Sequence, residues 1–167
     1  LMFDGENDRI SFDTFFSGQQ MSAVSYSIWF NTLESSVQYI SGKEGYWRTI
    51  YIRLTPANEI SFGGTSQNVY FGVTSNEGVI QLGVWHHFVV TFEDAVISLY
   101  LDGELIVEGP SATNLLDYQF YAAGNSTATN YLGAIYPVSP GLCHFFNGTI
   151  DDFGLWNRAL SPCEITE

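Results

Sequence analysis

The sequence predicts an all-β protein: a two-sheet antiparallel β-sandwich of jelly-roll type, with one short helical turn at the C-terminal end. Three observations predict it. Apolar and polar residues alternate with a period of two along most of the chain, which is the pattern of half-buried strands. Clusters of Gly, Asn, Asp and Ser break the alternation at short intervals and supply turns. No helical segments alternate with the strands, so the βαβ units of a parallel sheet are excluded. At 167 residues, the expected organisation is one domain over residues 1–167, long enough to bury a real core.

The strands follow in order. Val24-Ser25-Tyr26-Ser27-Ile28-Trp29-Phe30 alternates cleanly, as do Ile50–Leu54 and Val69–Val73. His87–Phe92 and Val96–Leu101 continue the pattern. Asp102-Gly103 then separates Leu99-Tyr100-Leu101 from Glu104-Leu105-Ile106-Val107. An Asp-Gly pair accepts the positive φ that a two-residue hairpin turn requires. Near the end, Ser161 precedes Pro162, and Glu164 follows three residues on, a capping-box start for a helical turn. Trp29, Trp85 and Trp156 sit in strand patterns and are expected to pack in the interior.

Composition excludes several functions. Eighteen acidic residues against five basic ones give a formal charge of −13. Such a chain repels nucleic acid, since binding a phosphate backbone requires Lys and Arg to release its counterions. No apolar run approaches the roughly 18 residues of a membrane span, so no membrane insertion is expected. The opening Leu1-Met2-Phe3-Asp4-Gly5 has neither the basic nor the apolar region of a signal peptide. Both ends are expected to be cuts around a domain of a larger protein. Cys143 and Cys163 are expected to pair, pinning the last turn to the sandwich for about 3 kcal/mol. Their spacing and neighbours do not suit zinc.

Four segments carry a resemblance. They are Phe3-Asp4-Gly5-Glu6-Asn7-Asp8-Arg9-Ile10; Ser27-Ile28-Trp29-Phe30-Asn31; Trp85–Phe92 with Leu99-Tyr100-Leu101-Asp102-Gly103; and Phe146 to Ser161, which contains Gly148-Thr149-Ile150-Asp151-Asp152 and Trp156-Asn157-Arg158-Ala159-Leu160. In this order and over nearly the whole chain they resemble the laminin G-like domains of the concanavalin A-like superfamily. The resemblance implies two stacked antiparallel sheets with neighbouring termini, and a secreted or cell-surface location beside other domains of a parent chain. It implies a noncatalytic binding module for a glycan or an extracellular protein. A structural spacer, or a cryptic polysaccharide hydrolase or lyase, are the alternatives.

It also implies a structural calcium ion near the terminal strands, with Asp4 and Asp151 as ligands. Calcium takes six to eight oxygens, so loop carbonyls near residues 5–8 would have to join them. The ligand surface is expected on rim loops 42–48, 63–68 and 124–137. Tyr46, Trp47 and Arg48 form one candidate cluster, and Asn130, Tyr131 and Tyr136 another, with rings to stack on sugars and polar groups to bond hydroxyls. No catalytic residue is assigned. His86 and His87 point to opposite faces of a strand, and a hydrogen-bonding role is expected of them. The run of alternating acids that hydrolases on this scaffold place in a cleft is missing.

Overall fold

In a computed structural model, residues 1–12, 23–43, 50–66, 69–110, 129–135 and 144–166 are described. They form twelve strands and one helix: β1 Met2–Asp4, β2 Ile10–Phe12, β3 Ala23–Thr32, β4 Gln38–Lys43, β5 Ile50–Leu54, β6 Ile60–Ser66, β7 Val69–Thr74, β8 His86–Glu93, β9 Val96–Leu101, β10 Glu104–Pro110, β11 Asn130–Leu132, β12 Asn147–Trp156 and α1 Pro162–Ile165. All described pairings are antiparallel. Sheet A runs β1-β12-β3-β8-β9-β10, and sheet B runs β2-β11-β4-β5-β6-β7. The expected sandwich is what forms.

Period-two patterning decides which side chains meet between the sheets. On β3, Val24, Tyr26, Ile28 and Phe30 are buried in the core, where Phe88, Phe92, Ile97 and Leu99 join them from β8 and β9. Sheet B answers with Ile52, Leu54, Ile60, Phe62 and Phe71. Complete burial of each such side chain stabilises the fold by about 1.5–3 kcal/mol. The termini adjoin as expected. Phe3 of β1 lies opposite Gly148 of β12, and the Leu1 ammonium donates to the Ile150 carbonyl at 2.8 Å.

The Asp-Gly hairpin is present, with φ of 52° at Asp102 and 84° at Gly103 and with Leu101 opposite Glu104. Asp102 also locks the start of β8. Its Oδ2 is 2.8 Å from His86 Nδ1, and its Oδ1 accepts the His87 N–H at 2.8 Å. His86 Nε2 accepts the Gln81 N–H at 3.1 Å, so the proton sits on Nδ1 and the buried ring holds turn and strand together. The two histidines do face opposite ways, and His86 has the bonding role expected of it.

Alternation fails in β12. Asp152 adopts φ 44°, and the register with β3 shifts between Asp151 and Gly154. This bulge lets Ile150 and Phe153 both pack on the core while Asp151 and Asp152 are both exposed. The C-terminal turn is held by hydrogen bonds and packing. Ser25 Oγ donates to the Arg158 carbonyl and accepts the Leu160 N–H, each at 2.9 Å. Leu160 and Ile165 pack on Val89 of the outer side of sheet A. The Glu164 carboxylate accepts the Ser161 N–H at 2.9 Å and lies 2.6 Å from Arg158, which holds it down to about pKa 2. Cys163 is exposed with a free thiol. Its expected partner, Cys143, lies outside the described residues.

Candidate functional site

The outer face of sheet B carries an aromatic surface built by strand phase and glycine. On β5, Ile50, Ile52 and Leu54 face the core, so Tyr51 and Arg53 face outward. On β7, Phe71 is in the core and Val73 packs against it, which turns Tyr70 outward, 56% exposed. Tyr51 stands in register with Gly63, and Gly63 with Gly72. The glycine pair leaves room for the phenols. A Cβ at Gly63 would come within 3.0 Å of Tyr51 Oη, and one at Gly72 within 3.0 Å of Tyr70 Oη. The two hydroxyls meet at 2.7 Å. Burial first, and then this hydrogen bond, raises the Tyr51 pKa, so the phenol stays neutral.

Other groups frame the pair. The Arg53 guanidinium carbon is 5.5 Å from the centre of the Tyr51 ring. Tyr39 meets Tyr51 edge-on at 5.6 Å, and His144 stacks on Tyr39 at 6.0 Å. Arg53 Nε is buried without a hydrogen-bond partner among the described residues. Arg53 as a whole is half-buried, so the terminal N–H groups of its guanidinium can donate to an acceptor oxygen from outside. Tyrosine rings beside an arginine donor suit a polyhydroxylated ligand. Apolar CH faces stack on the rings, and ring oxygens, hydroxyls or carboxylates accept from the guanidinium.

The expected ligand residues fall as follows. Tyr46, Trp47, Arg48 and Tyr136 lie outside the described residues. Asn130 and Tyr131 are on β11, with Tyr131 opposite Gly42. Gly42 is in turn opposite Tyr51, so Tyr131 shares the outer row of sheet B. It is 7% exposed, however; Ile135 crowds Gly42, and Arg9 covers the ring at 5.8 Å. Tyr131 therefore packs rather than presenting a platform. The residues missed were Tyr39, Tyr51, Arg53 and Tyr70. Their signal was present, since each stands out of phase with the aliphatic or aromatic core residues of its own strand.

The two aspartates expected to share calcium are not brought together. Asp4 lies opposite Asn147, whereas Asp151 is four positions further along β12 (151 − 147), beyond the end of β1. At about 3.3 Å per residue they stand roughly 13 Å apart. Asp4 Oδ1 accepts the N–H groups of Glu6 and Asn7 at 2.8 and 3.2 Å, and these bonds, Glu6 first, hold its pKa below the usual value. Asp151 Oδ1 accepts the Asp152 N–H at 3.0 Å. No group of three or more His, Cys, Asp or Glu side chains that could hold a metal occurs among the described residues. The pair does not fit one calcium ion.

Residues 4–166 match the family described as the concanavalin A-like lectin/glucanases superfamily, of laminin G type, and the chain belongs to it. No curated protein matches the sequence. Among solved structures, the chain is similar to the carbohydrate-binding module CBM40 of a Ruminococcus gnavus sialidase, bound to α2,3-sialyllactose (TM-score 0.71, 13% identity, covering 99% of this chain and 95% of that one). It is similar to the NanB sialidase of Streptococcus pneumoniae (TM-score 0.77, 16% identity), covering 98% of this chain but 26% of the sialidase. It is also similar to mouse laminin α1 domains LG4-5 (TM-score 0.65, 14% identity), covering 96% of this chain and 43% of that one. At these identities the likeness is one of fold.

Proposed function

We propose that the protein is a noncatalytic glycan-recognition module whose binding face is the outer surface of sheet B. The observation that carries this is the Tyr51–Tyr70 platform beside the half-buried guanidinium of Arg53. A sugar ring stacks on Tyr70 and Tyr51, while one of its oxygens accepts from Arg53. The laminin G-type family, and the similarity to a module bound to sialyllactose, support this reading. They support equally an extracellular setting next to other domains.

The test is calorimetric titration with sialyllactose and a panel of neutral oligosaccharides. At least one of these binds, and both Arg53→Gln and Tyr70→Ala weaken it about tenfold or more, as expected for a charge-assisted bond worth about 1.5–3 kcal/mol. Tyr70 is largely exposed, so its variant keeps the fold and loses only the stability of the Tyr51 hydrogen bond. Affinity unchanged in both variants would place recognition elsewhere.

A further inference from the structure

The outer face of sheet A holds a second feature, on the far side of the core from the tyrosines. Trp29, expected in the interior, is 39% exposed. It falls in the outward phase of β3, between Ile28 and Phe30, both completely buried. In register it lies between Asp151 of β12 and His87 of β8. The indole stacks on the His87 ring, with centres 4.9 Å apart and planes within 10°. His87 is itself fixed by a 2.7 Å hydrogen bond between Nε2 and Ser27 Oγ.

Beside this stack is an open cleft of about 530 Å³, lined by Trp29, His87, Asp102, Gly103, Glu104, Ile165 and Thr166. That volume is within the range of small-molecule sites, about 300–1,000 Å³. The β9–β10 turn forms one wall and the residues ending α1 the other. They meet closely, for a Cβ at Gly103 would lie 3.3 Å from Thr166 Cγ2. Half of the Asp102 side chain remains open to solvent despite its two fold-stabilising bonds, and Glu104 is exposed.

The carboxylates that line the cleft are uncompensated by any lining Lys or Arg. Asp102 and Glu104 line it, and Asp151 stands next to Trp29. The described arginine side chains are engaged elsewhere: Arg9 over Tyr131, Arg53 over Tyr51 and Arg158 on Glu164. Burial keeps His87 neutral, lowering its pKa against the opposing pull of Asp102.

We propose that the Trp29 cleft is a second carbohydrate subsite, taking a neutral hexopyranose unit and rejecting acidic sugars. The exposed indole offers a platform for the apolar CH face of the ring, and the carboxylates of Asp102 and Glu104, which line the same cleft, accept its hydroxyl protons. A sugar carboxylate entering the same space meets the like charges of Asp102 and Glu104, and no described Arg side chain lines the cleft to offset them. The proposal concerns a different face from the tyrosine platform and stands or falls apart from it.

The test is tryptophan fluorescence titrated with neutral gluco- and galacto-oligosaccharides, with glucuronic acid, and with glucosamine as a cationic control. Neutral sugars give a saturable change that Trp29→Ala abolishes; glucuronic acid gives no response at Trp29. Should Trp29→Ala fail to fold, Glu104→Lys is the second variant. Glu104 is exposed at the start of β10, and its replacement by lysine should admit glucuronic acid to the cleft. Persistence of the neutral-sugar response in Trp29→Ala, an equal response to glucuronic acid in the wild type, a response to glucosamine alone, or no response to any sugar would each overturn the proposal.

Discussion

At the scale of single residues, Gly63 and Gly72 shape the tyrosine face by lacking side chains. A methyl at Gly63 would lie 2.8 Å from the Phe71 carbonyl as well as 3.0 Å from Tyr51 Oη, and the backbone contact cannot swing away. Gly63→Ala is therefore expected to destabilise the protein by about 1–3 kcal/mol, as overpacking does, and to displace Tyr51. A urea melt checks the first effect and a sugar titration the second. His87 has an acid response with a definite sign. Burial lowers its folded pKa below the ordinary value of 6.5, so the unfolded chain binds the proton first as pH falls. Its contribution to stability is complete above pH 6.5 and is lost as pH drops from there through the folded value. Melting points measured from pH 7.5 to 5 should decline less steeply in His87→Gln than in the wild type; identical slopes would assign the decline to other groups. Cys163, exposed and free, should be alkylated in the native protein without reductant. Protection until reductant is added would restore the bridge to Cys143.

At the scale of elements, the β9–β10 turn does two jobs. Asp102 stabilises its own left-handed turn and ties down the first residues of β8 through His86 and the His87 N–H. Asp102→Ala should cost roughly 1–3 kcal/mol, because it leaves the buried His86 Nδ1–H unpaired and frees the His87 N–H, while Asp151→Asn should cost almost nothing. Thermal denaturation of the two variants separates them. The strand pattern of the elements was legible in sequence: Ile28 and Phe30 on β3, or Ile50, Ile52 and Leu54 on β5, announce a core face by phase alone. What was not legible was the state of the opposite face. Ser25 and Trp29 share the outward phase of β3, yet Ser25 is covered by the segment around Leu160 and Trp29 stands open. Periodicity assigns a side, not a cover. The bulge at Asp151–Gly154 is likewise invisible to a period-two count, which puts adjacent residues on opposite faces, whereas Asp151 and Asp152 are both exposed. Asp4 and Asp151 failed as a pair for a related reason. Neighbouring strands followed from the closing motif, but the register that separates the two carboxylates did not.

At the scale of the whole molecule, the sandwich keeps two surfaces of different character on either side of one core. Sheet B presents tyrosines with an arginine, and sheet A presents a tryptophan among carboxylates. A net charge of −13 surrounds both, so anionic ligands approach against a general repulsion that salt screens. Binding of sialyllactose at the Arg53 face should therefore strengthen between low and moderate ionic strength until screening of the Arg53 contact itself takes over, whereas neutral sugars should be insensitive to salt. Titrations at two salt concentrations check this. The family and the overall architecture were legible because they rest on core alternation, turn residues and the closing motif, all local in sequence. The binding face was not, because Tyr39, Tyr51, Arg53 and Tyr70 come from three strands that only the register of sheet B brings together.

Heteronuclear NMR of the native protein, observing the Arg53 Nε–H cross-peak during titration with sialyllactose and neutral oligosaccharides, tests the central claim most directly. A sugar that binds at the tyrosine face accepts from the guanidinium and changes the surroundings of its Nε–H, so the peak should shift to saturation along with the amides of Tyr51 and Tyr70. If every sugar that binds leaves the Arg53, Tyr51 and Tyr70 peaks fixed, the account is contradicted.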